Sequence, residues 1–301
     1  MSKTSTSQPT GDAARVSRRD LVAEAGRILL DPGTRPLRTI SFASEVDFTS
    51  MERVTSKTVD RLRPTAGAFL IKAVGLALVD YGYANRRPVR GGFGPFRADR
   101  LDKFPSRDVA VAMDRDVPGV GAATLLDIVR GADALPLSAI NIQLAALSET
   151  EPESNPAYHE AHQVVSRYPA WLAGRILRRR VASASGWVER RGGAVLVTSP
   201  KFGVDRVLVS SSYPIALSYG TTKRRAIVVD GKVEARLSFH LGMVFDRRLM
   251  TVSQAARFFQ RIVTILEAAD LELAPFLSPE AQPDAPQTRV DFPTAEVTTW
   301  D

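Results

Sequence analysis

The sequence predicts an α+β fold, a largely contiguous sheet packed against helices. Three observations lead there. Strand and helix signals do not alternate regularly, the C-terminal third is a run of strand-like segments, and one long apolar segment of helical character lies in the N-terminal third. The 301 residues carry no internal repeat and no long linker. The expected organisation is one domain over 15–278 with a helical insert at about 150–188. It lies between polar tails at 1–14 and 279–301 that are rich in Ser, Thr, Pro, Gln and Asp.

Taken in order, TRPLRTISFASEVDFT from Thr34 reads as a strand, and Thr49-Ser50-Met51-Glu52 after it has the pattern of a capping box. Pro64-Thr65 opens an apolar helix that holds Ala68 to Leu78. Its Lys72 and Asp80, and its length, argue for a core helix rather than a membrane span. DVAVAMD at 108–114 alternates small apolar residues and reads as a strand, and helical periodicity is expected from Thr124 through Leu147. The break SETEPESNP precedes a second helical stretch from about Ala157 to Val188. AVLVTSP, RVLVSSS, IALSYG, RAIVVDG and KVEARLSFHLGMVFD follow as strands, with Asp230-Gly231 as a hairpin turn. FDRRLMTVSQAARF, from Phe245, runs from a strand through an Asp-Arg-Arg turn into a closing amphipathic helix.

Composition removes several classes of function. Without cysteine there are no disulfides, thiolate metal sites or cysteine nucleophiles. The N-terminus has no apolar h-region, so a cytoplasmic protein is expected. The net charge of +7 raises nucleic acid as a partner, but the basic residues are spread along the chain and carry no recognised nucleic-acid motif. A solvated basic surface with an anionic ligand is the favoured alternative. RYPAWLAGRILRRR, 167–180, sets Trp171, Leu172, Ile176 and Leu177 among arginines. That pattern suits peripheral contact with an anionic membrane, although an ordinary surface helix is preferred.

The candidates for chemistry are few. His159 and His162, three residues apart, share a helix face but lack the metalloprotease spacing and a third ligand, so no metal site is expected. His240 lies within a strand, where a core or interface role is favoured. The glycines of GGFG at 91–94 and GVGAAT at 119–124 read as turns, the latter with a weak signal for an anion at a helix N-terminus.

The order of segments, roughly over 34–270, resembles the catalytic domains of the 2-oxoacid dehydrogenase acyltransferases, the dihydrolipoamide acyltransferases. SEVDFT is similar to their early Glu-Val-Asp strand. AGAFLIKAVGLALVDYGYAN is similar to the helix after it, and Ser199 sits where they have the serine of a Ser-Asn-Leu-Gly type element. The resemblance implies a chloramphenicol-acetyltransferase-like two-layer fold, a mixed sheet packed with helices, assembled as a trimer with active sites between subunits. A histidine of a HxxxDG motif would be the base, a serine of the neighbouring subunit would donate to the oxyanion, and a coenzyme A or dihydrolipoyl thioester would be the acyl donor.

The chain departs from that pattern in two ways. It shows no lipoyl attachment site or peripheral-subunit-binding domain ahead of the catalytic part, so it resembles the stand-alone members, which also carry an arginine- and aromatic-rich helical insert such as 157–188, and no bound cofactor is expected. Where the family reads Phe-Asp-His-Arg, two apolar residues, Asp-Gly, this chain keeps Asp246 and Arg248 but has Arg247 for the histidine and Thr251 and Val252 for Asp-Gly. The expected function is acyl transfer from a thioester with the standard base replaced. Ser199 would be the oxyanion donor, His159 or His162 a substitute base from the insert, and Arg247 with Arg248 an anion clamp. The alternative is a non-catalytic member that acts as a trimeric scaffold or as the partner of an active paralogue.

Overall fold

The structure, a computed structural model, describes residues 39–58, 63–91, 98–117, 121–151, 154–200 and 203–277. Both expected tails, the start of the first strand and most of GGFG lie outside these residues. Among the described residues no helix is long and apolar enough to cross a membrane.

The main sheet has the order β1-β9-β7-β6-β4-β5, with β8 also paired to β9. Its strands are β1 Thr39–Asp47, β4 Val109–Val117, β5 Gly121–Val129, β6 Val195–Thr198, β7 Ile215–Tyr219, β8 Lys223–Val229 and β9 Lys232–Asp246. β6 runs parallel to β4 and β7, and the other pairings are antiparallel. That mixed character explains VLVT: a central strand with parallel neighbours is covered on both faces, and Val195, Leu196 and Val197 are all buried. β8 and β9 form a hairpin through Asp230 and Gly231, both at positive φ (49° and 77°), as the Asp-Gly dipeptide leads one to expect.

The helices are α1 Thr49–Ser56, α2 Ala66–Asp80, α3 Leu137–Glu149, α4 Pro156–Arg167, α5 Ala170–Arg180, α6 Ala184–Arg191, α7 Val252–Glu267 and α8 Ala269–Glu272. α2 is the central one. Thr65 caps it by accepting from the Ala68 N–H, and it packs between α3 and α7 with Phe69, Leu70, Ile71, Val74 and Leu78 in the core. Lys72 is buried in the same helix. Its ammonium donates to the carbonyls of Ala132 (3.3 Å), Asp133 (2.5 Å) and Leu135 (2.7 Å) and lies 3.5 Å from the centre of the Phe276 ring. The segment leading into α3 is thereby tied to α2.

Several expectations are corrected. Residues 124–129 are strand rather than helix: Gly121, at φ 92°, opens β5, which folds back on β4 in full antiparallel register. The helix begins only at Leu137, so Gly121 opens a strand and not a helix, while Gly119 lies outside the described residues. The insert is three helices, broken at Tyr168-Pro169 and at 181–183. At α1 the expected capping box is absent. Asp47 instead accepts from the Thr49 N–H (2.9 Å) and hydroxyl (2.6 Å), a stronger acceptor that takes over the helix start. RVLVSSS, 206–212, joins no ladder. It runs beside β7, where the Val207 carbonyl accepts from the Ser218 hydroxyl, and a Cβ at Gly220 would stand 2.0 Å from the Asp205 carbonyl oxygen.

A second small sheet was not foreseen. β2 Arg86–Gly91 pairs antiparallel with β3 Ala98–Lys103. Buried Arg87 anchors it to the insert, donating to the carbonyls of Val181 (2.7 Å) and Ala182 (2.9 Å) and stacking on Trp187. The insert is also tied to the sheet edge, where the Asn155 amide donates to the Leu126 carbonyl at 3.0 Å.

Candidate functional site

The residues singled out in the sequence fall at two ends of the same strands. At one end β6 finishes at Thr198. The Thr198 hydroxyl donates to the Ala112 carbonyl and the Ser199 hydroxyl to the Tyr219 carbonyl, each at 3.0 Å, so that hydroxyls continue the ladder for one more residue. Ser199 stands on the rim of a cavity of about 250 Å³. The walls are apolar, with Ile71 of α2, Leu144 of α3, Val111 and Met113 of β4 and Val197 of β6. Asp114, Ser148 and Thr198 are the other polar members, and Asp114 is held by the Thr124 hydroxyl at 2.5 Å.

Tyr219 also lines the cavity, and its ring packs edge-on against Phe239. Burial raises the Tyr219 phenol above its ordinary pKa, with a hydrogen bond from the Ser199 hydroxyl opposing, so it stays protonated at neutral pH and can both donate and accept. Gly67 lies beneath it in the first turn of α2. A Cβ there would be 2.7 Å from the phenol oxygen, so a larger residue would move the ring. Nothing in the sequence marked Gly67 or Tyr219, because the cavity exists only once α2 is laid across β6 and β7.

At the other end β9 passes through Asp246 into α7. The Asp246 carboxylate is buried and accepts from the Arg248 backbone N–H (2.9 Å) and guanidinium Nε (3.0 Å), with a further contact from Nη2. Arg247 projects into solvent. Thr251 caps α7 in a reciprocal box with Gln254: the Gln254 N–H donates to the Thr251 hydroxyl at 3.3 Å, and the Gln254 side-chain oxygen accepts from the Thr251 N–H at 3.0 Å. Val252 is the exposed first residue of the helix. The turn satisfies itself, and Arg248 is committed to Asp246.

The two ends do not meet within one chain. Thr198 is level with Ser218, and Ser218 with Gly242. Arg247 lies five residues beyond Gly242, roughly 16 Å along the strand at about 3.3 Å per residue. The histidines do not bridge the gap. His159 is exposed on α4 with its Nε2 2.8 Å from the Gln163 amide nitrogen, His162 stacks on Tyr158, and neither lines the Ser199 cavity. His240 sits on β9 opposite Glu45, seven residues before Arg247. Burial, with Arg206 and Arg225 adding to it, holds its imidazole below the ordinary pKa. Among the described residues no group of three or more His, Asp or Glu side chains is placed to hold a metal ion.

Solved structures similar to this chain include dihydrolipoamide acetyltransferases. A dihydrolipoamide acetyltransferase of Azotobacter vinelandii matches with a TM-score of 0.54 at 17% identity, over 79% of this chain and 84% of that one. The cubic core of the pyruvate dehydrogenase multienzyme complex matches with the same TM-score, identity and coverage. A probable dihydrolipoamide acetyltransferase of Listeria monocytogenes matches at 0.53 and 17% identity, over 78% and 87%. The chain has the acyltransferase fold. In the Azotobacter protein a serine, a histidine and an asparagine numbered four after that histidine were investigated for their role in the catalytic mechanism. No family model and no curated protein matches the sequence, so the likeness is one of fold alone.

Proposed function

We propose that the protein binds an acyl thioester such as an acyl-coenzyme A at the Ser199 cavity and takes part in acyl transfer from it. Ser199 would donate to the oxyanion of the tetrahedral intermediate. What supports this most is the position of the Ser199 hydroxyl, on the rim of an apolar cavity at a strand end in a chain with the acyltransferase fold. To act, the hydroxyl turns from the Tyr219 carbonyl toward the reacting oxygen. A donor of this kind is worth about 10² to 10³ in rate where it has been removed from other enzymes.

The base is the missing part. A guanidinium stays protonated and only donates, so Arg247 cannot take a proton from an acceptor. A positioned base contributes about 10² to 10⁴. Transfer to a thiol that is already ionised needs the base least, and that acceptor class suits this chain best. A second reading is favoured by the self-satisfied turn at 246–254. In it the chain is a non-catalytic member of a trimer or of a mixed oligomer, supplying its Ser199 half to the histidine half of an active paralogue. Arg247, free to face an incoming anion, would then serve binding alone.

Release of thiol from acetyl-, butanoyl- and octanoyl-coenzyme A by the purified protein separates these readings. Turnover that falls about 10² to 10³-fold in Ser199→Ala supports acyl transfer at this cavity. Turnover lost in His159→Ala would instead assign the base to the insert. If the wild type is inert and the triple change Arg247→His, Thr251→Asp, Val252→Gly gains on the order of 10² to 10⁴ in rate, the protein is a non-catalytic member. A mass measurement showing a monomer would overturn both oligomeric readings.

A further inference from the structure

The outer face of α5 takes no part in the Ser199 cavity or in the turn at 246–254. The inner face of this helix is engaged as on any surface helix. It packs on α4, with Ala173 and Gly174 buried and Leu172, Ile176 and Leu177 half-buried. On the outer side Trp171, Arg175, Arg178 and Arg179 are all exposed. Their spacing, i, i+4, i+7 and i+8, places them within about 100° of the helix circumference. A single exposed apolar side chain needs no explanation, but Trp171 is 72% exposed on one face with these arginines. Trp187 shows the ordinary alternative: its ring is buried against Tyr213, and its indole N–H donates to the Gly193 carbonyl at 3.0 Å.

The charge on this face is not balanced locally. Residues 155–191 carry seven arginines and two glutamates, a net +5 of the chain's +7. Both glutamates are already engaged. Glu160 accepts from Arg180 (2.5 Å) and Arg190 (2.9 Å), and Glu189 accepts from Arg190 (2.7 Å). Arg175 and Arg179 therefore have no acid of the insert to pair with. The helix dipole favours cations in the last turn, at Arg178 to Arg180. It accounts neither for Arg175, a turn earlier, nor for the tryptophan ahead of it.

We propose that the outer face of α5 is a docking surface for an anionic phospholipid bilayer, with Arg175 and Arg179 on the headgroup phosphates and Trp171 seated among the headgroups. Guanidinium pairs with phosphate through parallel hydrogen bonds, and an indole settles at the level where apolar and wet surroundings meet. A single-stranded nucleic acid would ask for aromatic rings in series along a groove, and this face of α5 presents one ring. Since Leu172, Ile176 and Leu177 are turned toward α4, the helix does not sink its apolar face into the bilayer. Attachment is electrostatic with one aromatic anchor, so it is reversible and weakened by salt. It is independent of the thioester reading.

The test is flotation of the full chain with vesicles of equimolar phosphatidylcholine and phosphatidylglycerol, against vesicles of phosphatidylcholine alone. The protein should float with the anionic vesicles only, and should be released as salt rises from about 0.1 to about 1 M and the screening length falls from about 10 to about 3 Å. Arg175→Glu with Arg179→Glu should weaken binding by at least about 25-fold, at about fivefold per arginine lost. The control is Arg224→Glu with Lys232→Glu, two exposed positions of the β8–β9 hairpin, which changes the net charge equally and should leave most of the binding. Trp171→Ala should weaken it on the order of tenfold. Thermal melts should be unchanged in all variants, since every altered side chain is exposed. No flotation, equal flotation with neutral vesicles, equal losses in the two double variants, or full binding by Trp171→Ala would overturn the docking surface. So would retention of a single-stranded oligonucleotide, lost in the Arg175 and Arg179 variant, without vesicle binding: that result would assign the face to nucleic acid.

Discussion

The two ends of the sheet were built from equivalent material and came out differently. At the Ser199 end a cavity remains, lined by residues of α2, α3, β4 and β6 and by Tyr219. The hydroxyl there, half-buried at the cavity, holds the Tyr219 carbonyl, a bond that a ligand can replace. At the Arg247 end, β9 passes through a short turn into a helix, and the turn is held by internal pairs: Asp246 takes Arg248, and Thr251 takes Gln254. One end keeps unspent hydrogen-bonding and packing capacity, and the other has used it for stability. It follows that substitutions at the Ser199 end should change ligand binding with little effect on folding, and those at the Arg247 end should do the opposite.

The largest expected effect on stability is at Asp246. Its carboxylate is buried and holds both the backbone and the guanidinium of Arg248. Asp246→Ala should cost about 3 kcal/mol in urea unfolding, the range for breaking a buried charged pair at a partner that is itself partly exposed. Ser199→Ala should cost less than about 0.5 kcal/mol, since one partly exposed hydroxyl bond is lost. A comparable loss for both would erase the distinction between the ends.

Much of this was legible in the sequence. KVEARLSFHLGMVFD is β9 without a residue of error, Asp230-Gly231 is the turn before it, and Thr65 is the cap of α2. These are local features, fixed by backbone chemistry within a few residues. What escaped the sequence is non-local. β5 read as helix because its apolar residues fit both periods, and only pairing with β4 decides the matter. Thr49 looked like a cap until Asp47 was seen to serve. The site divides in the same way. Ser199 and the turn at 246–252 could be placed from segment order, whereas Gly67 and Tyr219, 152 positions apart, meet only in the fold.

A smaller effect concerns the walls of the cavity. Lys72 follows Ile71 on α2 and binds the carbonyls ahead of α3, so it holds together the two helices that carry Ile71 and Leu144. Burial pulls its ammonium from 10.5 down to about 8, with the Asp133 carboxylate opposing. Between these values the unfolded chain binds the proton that the folded chain has released. Stability therefore rises with pH above 8, and the contribution is lost as pH falls through 8. Unfolding free energy should increase by about 1.5 kcal/mol over the next pH unit and a half. Lys72→Met should remove that slope, and a slope unchanged in the variant would assign it to another group.

Thr251 gives the finest discrimination between the ends, because it stands where the resemblance expects a carboxylate and serves as a cap instead. If its present role is structural, Thr251→Ala should cost about 1 kcal/mol of stability, the usual loss at an N-cap. Thr251→Asp should restore it, since aspartate caps as well as threonine and favours the positive end of α7. Neither change should alter the affinity of an acyl thioester for the Ser199 cavity of the same chain. If Thr251→Ala instead weakened thioester binding in the assembled protein at unchanged stability, the turn of one subunit would face the cavity of the next. The two ends would then be halves of one site.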